Sequence, residues 1–304
     1  MKRLGIIGGA GAIGATVAFC AAAEALFDEI MLCDVRGNLA MSHAMDIGQA
    51  VCELSPAQLS VCGIGELEKC DIIINTAGIP EMQASSRDDY LNGNIVIIRE
   101  LADRIKNWKQ MPVILSATNP IDVLNYELYR KSGLPREKLI GFSRNDSLRF
   151  MWSVSKETGI PASELNAFVI GEHGDEQVPL FSSLKYGASG KPLSLSDEQK
   201  QSILRNVKVW FSEYQALGSG RSSGWTSAVS ICRIIKLIMT ESDEICPCSV
   251  IPNGEYGLRD LSIGMPVRLG KTGVREIVTF ELSDDEEMGL RSAALKIQNQ
   301  IPGD

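Results

Sequence analysis

Histidine is nearly absent from this chain. Only His43 and His173 occur in 304 residues, so chemistry that needs an unperturbed imidazole near neutral pH has two places to sit. Metal chemistry is poorly provided for as well. The eight cysteines, at 20, 33, 52, 62, 70, 232, 246 and 248, include no CxxC pair. Cys246-Pro247-Cys248 has the wrong spacing for a zinc knuckle and reads as a turn entering a strand. No metal site is expected. Most thiols lie in apolar runs such as IMLCDV and AVSICRII and are expected to be buried and reduced. Positive charge is in deficit too: 30 Lys and Arg face 38 Asp and Glu, a net charge of −8 with a pI of about 5.0. That balance argues against nucleic acid and against an anionic membrane surface as partners. No apolar run reaches the ~18 residues that a bilayer-spanning helix needs. The opening MKRLGIIGG begins as a signal peptide does, but five glycines between Gly5 and Gly14 suit a strand feeding a turn. The expected location is the cytoplasm.

What remains is an ordinary globular composition, 44% apolar and 22% charged, on a chain long enough for two domains. Residues 4–7, 29–34, 71–77, 113–117 and 139–141 read as short strands, the middle three strongly apolar. Residues 11–27, 39–52 and 90–108 read as helices between them. Such alternation argues for a parallel sheet with helices on both faces. From Asp146 the rhythm changes. A long helix over 146–158 leads into segments that look like antiparallel strands, then helices at 196–217 and 227–240, a hairpin-like stretch over 250–267 around Asn253-Gly254, and a final helix at 284–300. The boundary is placed near Gly141, giving domains 1–141 and 142–304. The expected class is α/β, a doubly wound parallel sheet followed by a mixed α+β domain, with no internal repeat.

Gly9-Ala10-Gly11-Ala12-Ile13-Gly14 fits G-x-G-x-x-G, directly after a strand and at the start of a helix. The first glycine suits a tight turn, the second lets a pyrophosphate lie against backbone, and the third lets helix and strand pack closely. The phosphates then rest on the helix amino terminus. Asp34 lies 20 residues past Gly14, at the end of the second strand, where an acid grips ribose hydroxyls. Its carboxylate repels a 2′-phosphate, so NAD is favoured over NADP, although Arg36 softens that repulsion. This is the signature of a Rossmann sheet, and domain 1–141 is expected to bind NAD.

Four further segments stand out. Ser85-Ser86-Arg87-Asp88-Asp89 follows the strand DIIINTAG, where Ala77 and Gly78 are expected beside the cofactor. Ser116-Ala117-Thr118-Asn119-Pro120 follows the next strand. Asp146-Ser147-Leu148-Arg149 puts acid and base three apart on one helix face. Gly171-Glu172-His173-Gly174-Asp175 follows an apolar run, with glycines on both sides that let a ligand approach the ring. Singly, each has a bland reading: a surface ion pair, a helix cap, a turn, a surface histidine. Together, behind the cofactor motif, they do not. His43 fits no motif and is read as a helix-surface residue.

From GGAGAIG through AGIP, RDDYLNGN, TNPIDV, NDSLRF and GEHGD to NGEYGLRD and LGKTGV, the chain resembles the lactate/malate dehydrogenase family nearly end to end. The resemblance implies an NAD-dependent enzyme interconverting a 2-hydroxy and a 2-oxo carboxylate, and a homo-oligomer, dimer or tetramer. It makes His173 the acid/base, with Asp146 accepting a hydrogen bond from its other ring nitrogen. Arg149 holds the substrate carboxylate through its two-pronged fork. Arg87, on a loop able to close, polarises the carbonyl. Asn119 donates near the carbonyl and the nicotinamide ribose. Hydride passes between nicotinamide and substrate carbon.

The chain also departs from the family. Six residues before the loop arginine, malate enzymes typically carry arginine and lactate enzymes glutamine; here that position is Glu81. An anion there repels oxaloacetate. On the opposite wall, alignment through Trp225 makes Ser223 line the pocket with Arg221 nearby, and an Arg221–Glu81 pair would leave the pocket close to neutral. The expectation is therefore a 2-hydroxy-acid dehydrogenase acting on something other than plain malate. Two alternatives stay open: an ordinary lactate or malate enzyme with an unusual loop, and a catalytically retired NAD-binding regulator.

Overall fold

Burial alternates along the central strands in a way that defines the architecture. Leu4, Ile6, Ile72, Ile74 and Leu115 point into one apolar cluster, while Ile7, Ile73 and Ile114 point into another. A strand buried on both faces needs helices on both faces. The computed structural model describes residues 1–79, 87–220 and 223–303. In chain order the elements are β1 (Arg3–Ile7), α1 (Ala12–Ala23), β2 (Glu29–Cys33), α2 (Gly37–Ala50), β3 (Gln58–Val61), β4 (Ile72–Asn75), α3 (Arg87–Ile105), β5 (Val113–Ser116), α4 (Ile121–Ser132), β6 (Leu139–Gly141) and α5 (Arg144–Thr158). There follow β7 (Leu165–Asn166), β8 (Val169–Gly171), β9 (Gln177–Pro179), β10 (Lys185–Tyr186), β11 (Lys191–Pro192), α6 (Asp197–Ala216), α7 (Gly224–Thr240), β12 (Cys246–Val250), β13 (Ile263–Gly270), β14 (Gly273–Ile277) and α8 (Asp284–Gln300). α1, α2 and α7 supply the first cluster, α3 and α4 the second.

The parallel strands run in the order β3-β2-β1-β4-β5-β6, the doubly wound pattern expected of 1–141. Its order reverses between β1 and β4, which opens a crevice at their carboxyl ends. The sheet does not stop there. β12 joins β6 through Ser249 opposite Gly141, and β13 joins β8 through Gly264 opposite Gly171, so antiparallel strands extend the same sheet to β9. Both seams are glycine contacts: a Cβ on Gly141 would lie 2.8 Å from the Ser249 Cβ, and one on Gly264 would lie 2.8 Å from the Gly171 carbonyl oxygen. A third apolar cluster, around Phe150, Val154, Leu165 and Ile203, packs α5 on α6 and the small sheet β11-β10-β7.

Several local expectations are corrected. β3 and α4 were not apparent in the sequence pattern. No tight hairpin forms at Asn253-Gly254: β12 and β13 do pair antiparallel, but a single helical turn, Glu255–Gly257, fills the connection. The tight turn is instead between β13 and β14, where Gly273 has φ of 105°. Cys246-Pro247-Cys248 is not a turn but part of β12, opposite Pro266-containing β13. β12 meets β6 only at Ser249, so Pro247 lies where a missing N–H forfeits no ladder bond on that side. Cys70, Cys232, Cys246 and Cys248 are buried, Cys20, Cys33 and Cys62 partly so, and Cys52 is exposed, all eight as free thiols. His43 is on α2 as expected, though half-buried. Among the described residues no helix is long and apolar enough to cross a membrane, and no His, Cys, Asp and Glu cluster suits a metal ion.

Candidate active site

The glycine loop joins β1 to α1. Its left-handed residue is Gly8, with φ of 80°, not Gly9, to which the motif had assigned the tight turn. A Cβ on Gly8 would lie 2.7 Å from Thr76 Oγ1 and 2.8 Å from the Ala77 nitrogen. The doublet Gly8-Gly9 after an apolar strand was the available signal. Gly14 behaves as expected: its Cβ would sit 2.4 Å from the Gly8 carbonyl oxygen, so α1 packs against the loop only with glycine there. Gly11 caps α1 without a side chain, and the first turn holds no acidic residue. The amides of Ala12, Ile13 and Gly14 are thus the unsatisfied donors of a helix start, with no acidic side chain in that turn. That is a fit for a pyrophosphate.

Asp34 stands beyond β2 with its side chain almost fully covered. One carboxylate oxygen accepts from the Ala10 amide at 2.9 Å and the other from the Arg36 amide at 2.9 Å, with Arg36 Nε at 3.4 Å. Asp34 therefore braces the loop and carries Arg36 as its own counter-ion. Across the crevice, Asn94 on α3 accepts from the Ile79 amide at 2.8 Å and donates to the Asn119 carbonyl at 2.9 Å. Thr118 Oγ1 donates to the Ala77 carbonyl at 2.7 Å. These bonds hold Ala77, Gly78 and Asn119 together at the ends of β4 and β5. Asn94, wholly buried, was missed by sequence reasoning; an asparagine inside the apolar helix LNGNIVII was the clue.

The second cluster is acidic and basic at once. His173 follows β8 and Gly171, whose φ is 87°. Its Nδ1 lies 2.5 Å from one oxygen of Asp146, and Arg149 donates to the other at 2.8 Å. All three are largely buried: their side chains are 15%, 5% and 17% exposed. The Asp146–Arg149 pair is not the weak surface contact that its spacing alone would suggest. Arg149 also lies 4.8 Å from the centre of the Trp210 ring, which stacks on Tyr214. Burial disfavours charge on the His173 ring, but the Asp146 carboxylate, by charge and by hydrogen bond, outweighs it, helped by Asp122 and opposed by Arg149. The net effect raises the pKa of His173 above its ordinary value.

Arg149 and Ser223 line one cleft of about 690 Å³, together with Leu148, Trp152, Trp210 and Thr226. Ser223 is the residue before α7. Arg87 was read as a loop residue; it is the first residue of α3, because the helix starts at Arg87 rather than at Tyr90. Glu81 and Arg221 lie outside the described residues.

A parallel sheet with such a phosphate-accepting loop, together with a histidine and a guanidinium bridged by one carboxylate, defines a class: nicotinamide-dependent dehydrogenases of hydroxy acids. The model for the lactate/malate dehydrogenase NAD binding domain matches residues 2–141, and that for the lactate/malate dehydrogenase alpha/beta C-terminal domain matches 144–302. The chain belongs to the lactate/malate dehydrogenase family, and it is an NAD-dependent 2-hydroxy-acid dehydrogenase of that type. Malate dehydrogenase of Halobacterium salinarum is 29% identical over 303 residues, covering 99% of this chain and 98% of that one. L-lactate dehydrogenase 1 of Bacillus cereus is 32% identical over 293 residues, covering 93% and 92%. The crystal structure of Cryptosporidium parvum malate dehydrogenase aligns with a TM-score of 0.91 at 30% identity, covering 98% and 97%. Lactate dehydrogenase of the same organism, complexed with lactic acid and NAD, aligns with a TM-score of 0.91 at 26% identity, covering 98% and 96%.

Proposed function

We propose that the chain reduces a 2-oxo acid, and oxidises the matching 2-hydroxy acid, whose side chain is not the carboxylate of malate. The reaction centre is His173, and the observation that carries this reading is the Asp146 bridge, 2.5 Å to His173 and 2.8 Å to Arg149. The bridge presents the ring's Nε2 outward, holds Nδ1–H on the carboxylate and favours the imidazolium. A charged ring can give its proton to a substrate oxygen as that oxygen becomes an alkoxide; the neutral ring takes it back in oxidation. Arg149, held at two sides by Asp146 and Trp210, keeps its fork at a fixed angle for a substrate carboxylate. NAD, when bound, supplies or accepts the hydride. Gly9, Gly11, Ala12, Ile13 and Gly14 would take its pyrophosphate, Asp34 a ribose, and Ala77, Gly78 and Asn119 the nicotinamide end. Arg87 would polarise the carbonyl. Residues 1–141 would then be the cofactor domain and 142–304 the substrate domain.

Glu81 supports the exclusion of malate, since a second substrate carboxylate would meet an anion. Relatives bearing both enzyme names match at similar identity, so the substrate is decided at this position and at Ser223 and Arg221 rather than by ancestry. NADH oxidation against pyruvate, oxaloacetate, and branched, aromatic and cationic 2-oxo acids tests the reading. Fastest turnover of oxaloacetate would refute it, and no turnover of any 2-oxo acid would refute the reaction centre. The chain would also act as a homo-oligomer. Met45, Trp225 and Val229 are 70%, 66% and 63% exposed, an apolar excess that a second copy would cover. A 33 kDa particle by light scattering at micromolar concentration would overturn that.

A further inference from the structure

Asp122, on the first turn of α4, is a buried carboxylate given no contact in the scheme above. One oxygen accepts from the backbone N–H of His173 at 2.7 Å, and the other accepts from Ser249 Oγ at 2.5 Å. Two hydroxyls and an amide lie behind it. Asn125 Nδ2 donates to Ser262 Oγ at 2.9 Å and leans on the Ser249 carbonyl at 3.4 Å, and a carbonyl can only accept. Ser262 Oγ lies 2.8 Å from Ser249 Oγ, where either hydroxyl can donate, and Ser249 Oγ donates to Asp122. An amide N–H can only donate too. Both oxygens of Asp122 are thus acceptors, as an anion's are. α4 lies within the stretch matched by the NAD-binding domain, while His173 lies in the other.

We infer that Asp122 is a positioning residue for His173: a second carboxylate, reaching over from the cofactor-binding half, that clamps the histidine's backbone and biases its ring toward the charged form. Two carboxylates then act on one imidazole, Asp146 through the ring and Asp122 through the main chain and its field. Among the described residues the other charged groups facing this pair are few. Glu172, next to His173, is paired with Lys296 at 2.8 Å, and Arg149 sits on Asp146. Burial raises the pKa of Asp122 to about 6 against the help of Ser249 and the His173 amide. The carboxylate is therefore charged at neutral pH but gives up part of its bias as the pH falls toward 6. Because α4 begins two residues after Asn119, Asp122 ties the His173 backbone to the segment that carries Asn119. This rests on His173 being the acid/base.

The two histidines make the test direct. In the full-length protein with ¹³C-labelled histidine, the ring Cε1–H signals are followed through a pH titration, with His43 assigned by His43→Gln. Asp122→Asn should move the His173 midpoint down by about one pH unit, as loss of a nearby opposite charge does. The pH at which kcat/KM for 2-oxo-acid reduction falls should move down with it, and NADH affinity should stay within about twofold. Ser249→Ala, a smaller change, weakens the carboxylate's hold on its charge and should move the midpoint the same way by less. A folded Asp122→Asn protein with an unmoved His173 midpoint overturns the inference; should that variant not fold, an unmoved midpoint in Ser249→Ala does. The midpoint is read whether or not His173 is catalytic. Turnover surviving His173→Asn would sink the proposed function and leave the clamp standing.

Discussion

The two sides of the crevice are built by opposite means. On the cofactor side, the glycine loop works through backbone: Gly8 and Gly14 are there because a Cβ would collide with neighbouring main chain. Its residues are contiguous, and its one anion, Asp34, is spent on bracing the loop. On the substrate side, side chains do the work. His173, Asp146, Arg149 and Asp122 come from three separate elements and are buried with mutually compensating charges. A backbone site tolerates little change in shape but holds little electrostatic energy. A charged buried cluster is the reverse: shape-preserving changes of one atom alter its function.

The largest expected effect follows from that contrast. His173→Asn should lower turnover about 10²–10⁴-fold or more while leaving NADH affinity intact, because it removes the proposed proton donor without touching the loop. Isothermal titration with NADH beside steady-state rates separates the two sides. Asp146→Asn should be milder and have a signature of its own. The His173 pKa is raised by Asp146, so reduction, which needs the imidazolium, fails as pH rises through that raised value; the amide should bring the failure to lower pH. An unchanged pH profile would reduce Asp146 to a helix-opening residue.

Glu81→Arg should come next. Two carboxylates about 4 Å apart repel by several kcal/mol at an effective dielectric near 20, so oxaloacetate should be disfavoured about a hundredfold against a neutral 2-oxo acid in the wild type. Arginine should reverse the preference by pairing the second carboxylate. If the wild type prefers oxaloacetate and Glu81→Arg adds nothing, Arg221 is the partner of that carboxylate. Gly14→Ala tests the other side of the crevice. Its Cβ would lie 2.4 Å from the Gly8 carbonyl oxygen, and such overpacking costs about 1–3 kcal/mol. Thermal melts should show the loss, and NADH binding should weaken, while the pH profile of whatever turnover remains stays put.

The same contrast explains what could be read in advance. Parallel strands buried on both faces are continuous apolar runs, so the doubly wound half was legible, as were G-x-G-x-x-G and Asp34, whose meaning is local. β3 was not: QLSV sits at a sheet edge, half-covered, and lacks both the apolar run and a clean alternation. The Asn253-Gly254 pair looked like a hairpin because its dipeptide favours one, yet Ile251 and Leu261 are drawn into the core and lengthen the connection. His173 and the Asp146–Arg149 spacing stood out through rarity, but with Asp146 27 residues from His173 only the family resemblance gave their contact. Asn94 and Asp122 escaped notice because each does its work on another residue's main chain, which no side-chain motif records.

The smallest effect should be at Arg36. Its guanidinium is 58% exposed and lies 3.4 Å from Asp34, a surface pair of the kind that contributes about 0–1 kcal/mol. Arg36→Ala should therefore leave stability nearly unchanged, because Asp34 keeps its bonds from the Ala10 and Arg36 amides, both main-chain. What it removes is half-neutralisation of the acid proposed to meet the ribose. The bare carboxylate should repel a 2′-phosphate more strongly, so the ratio of kcat/KM for NADH over NADPH should rise by a few-fold, and more at low salt, where an exposed charge is screened less. A fall in the ratio would mean that Arg36 opposes NADPH by some route other than charge, and would make Asp34 a brace for the glycine loop before it is a gate for the cofactor.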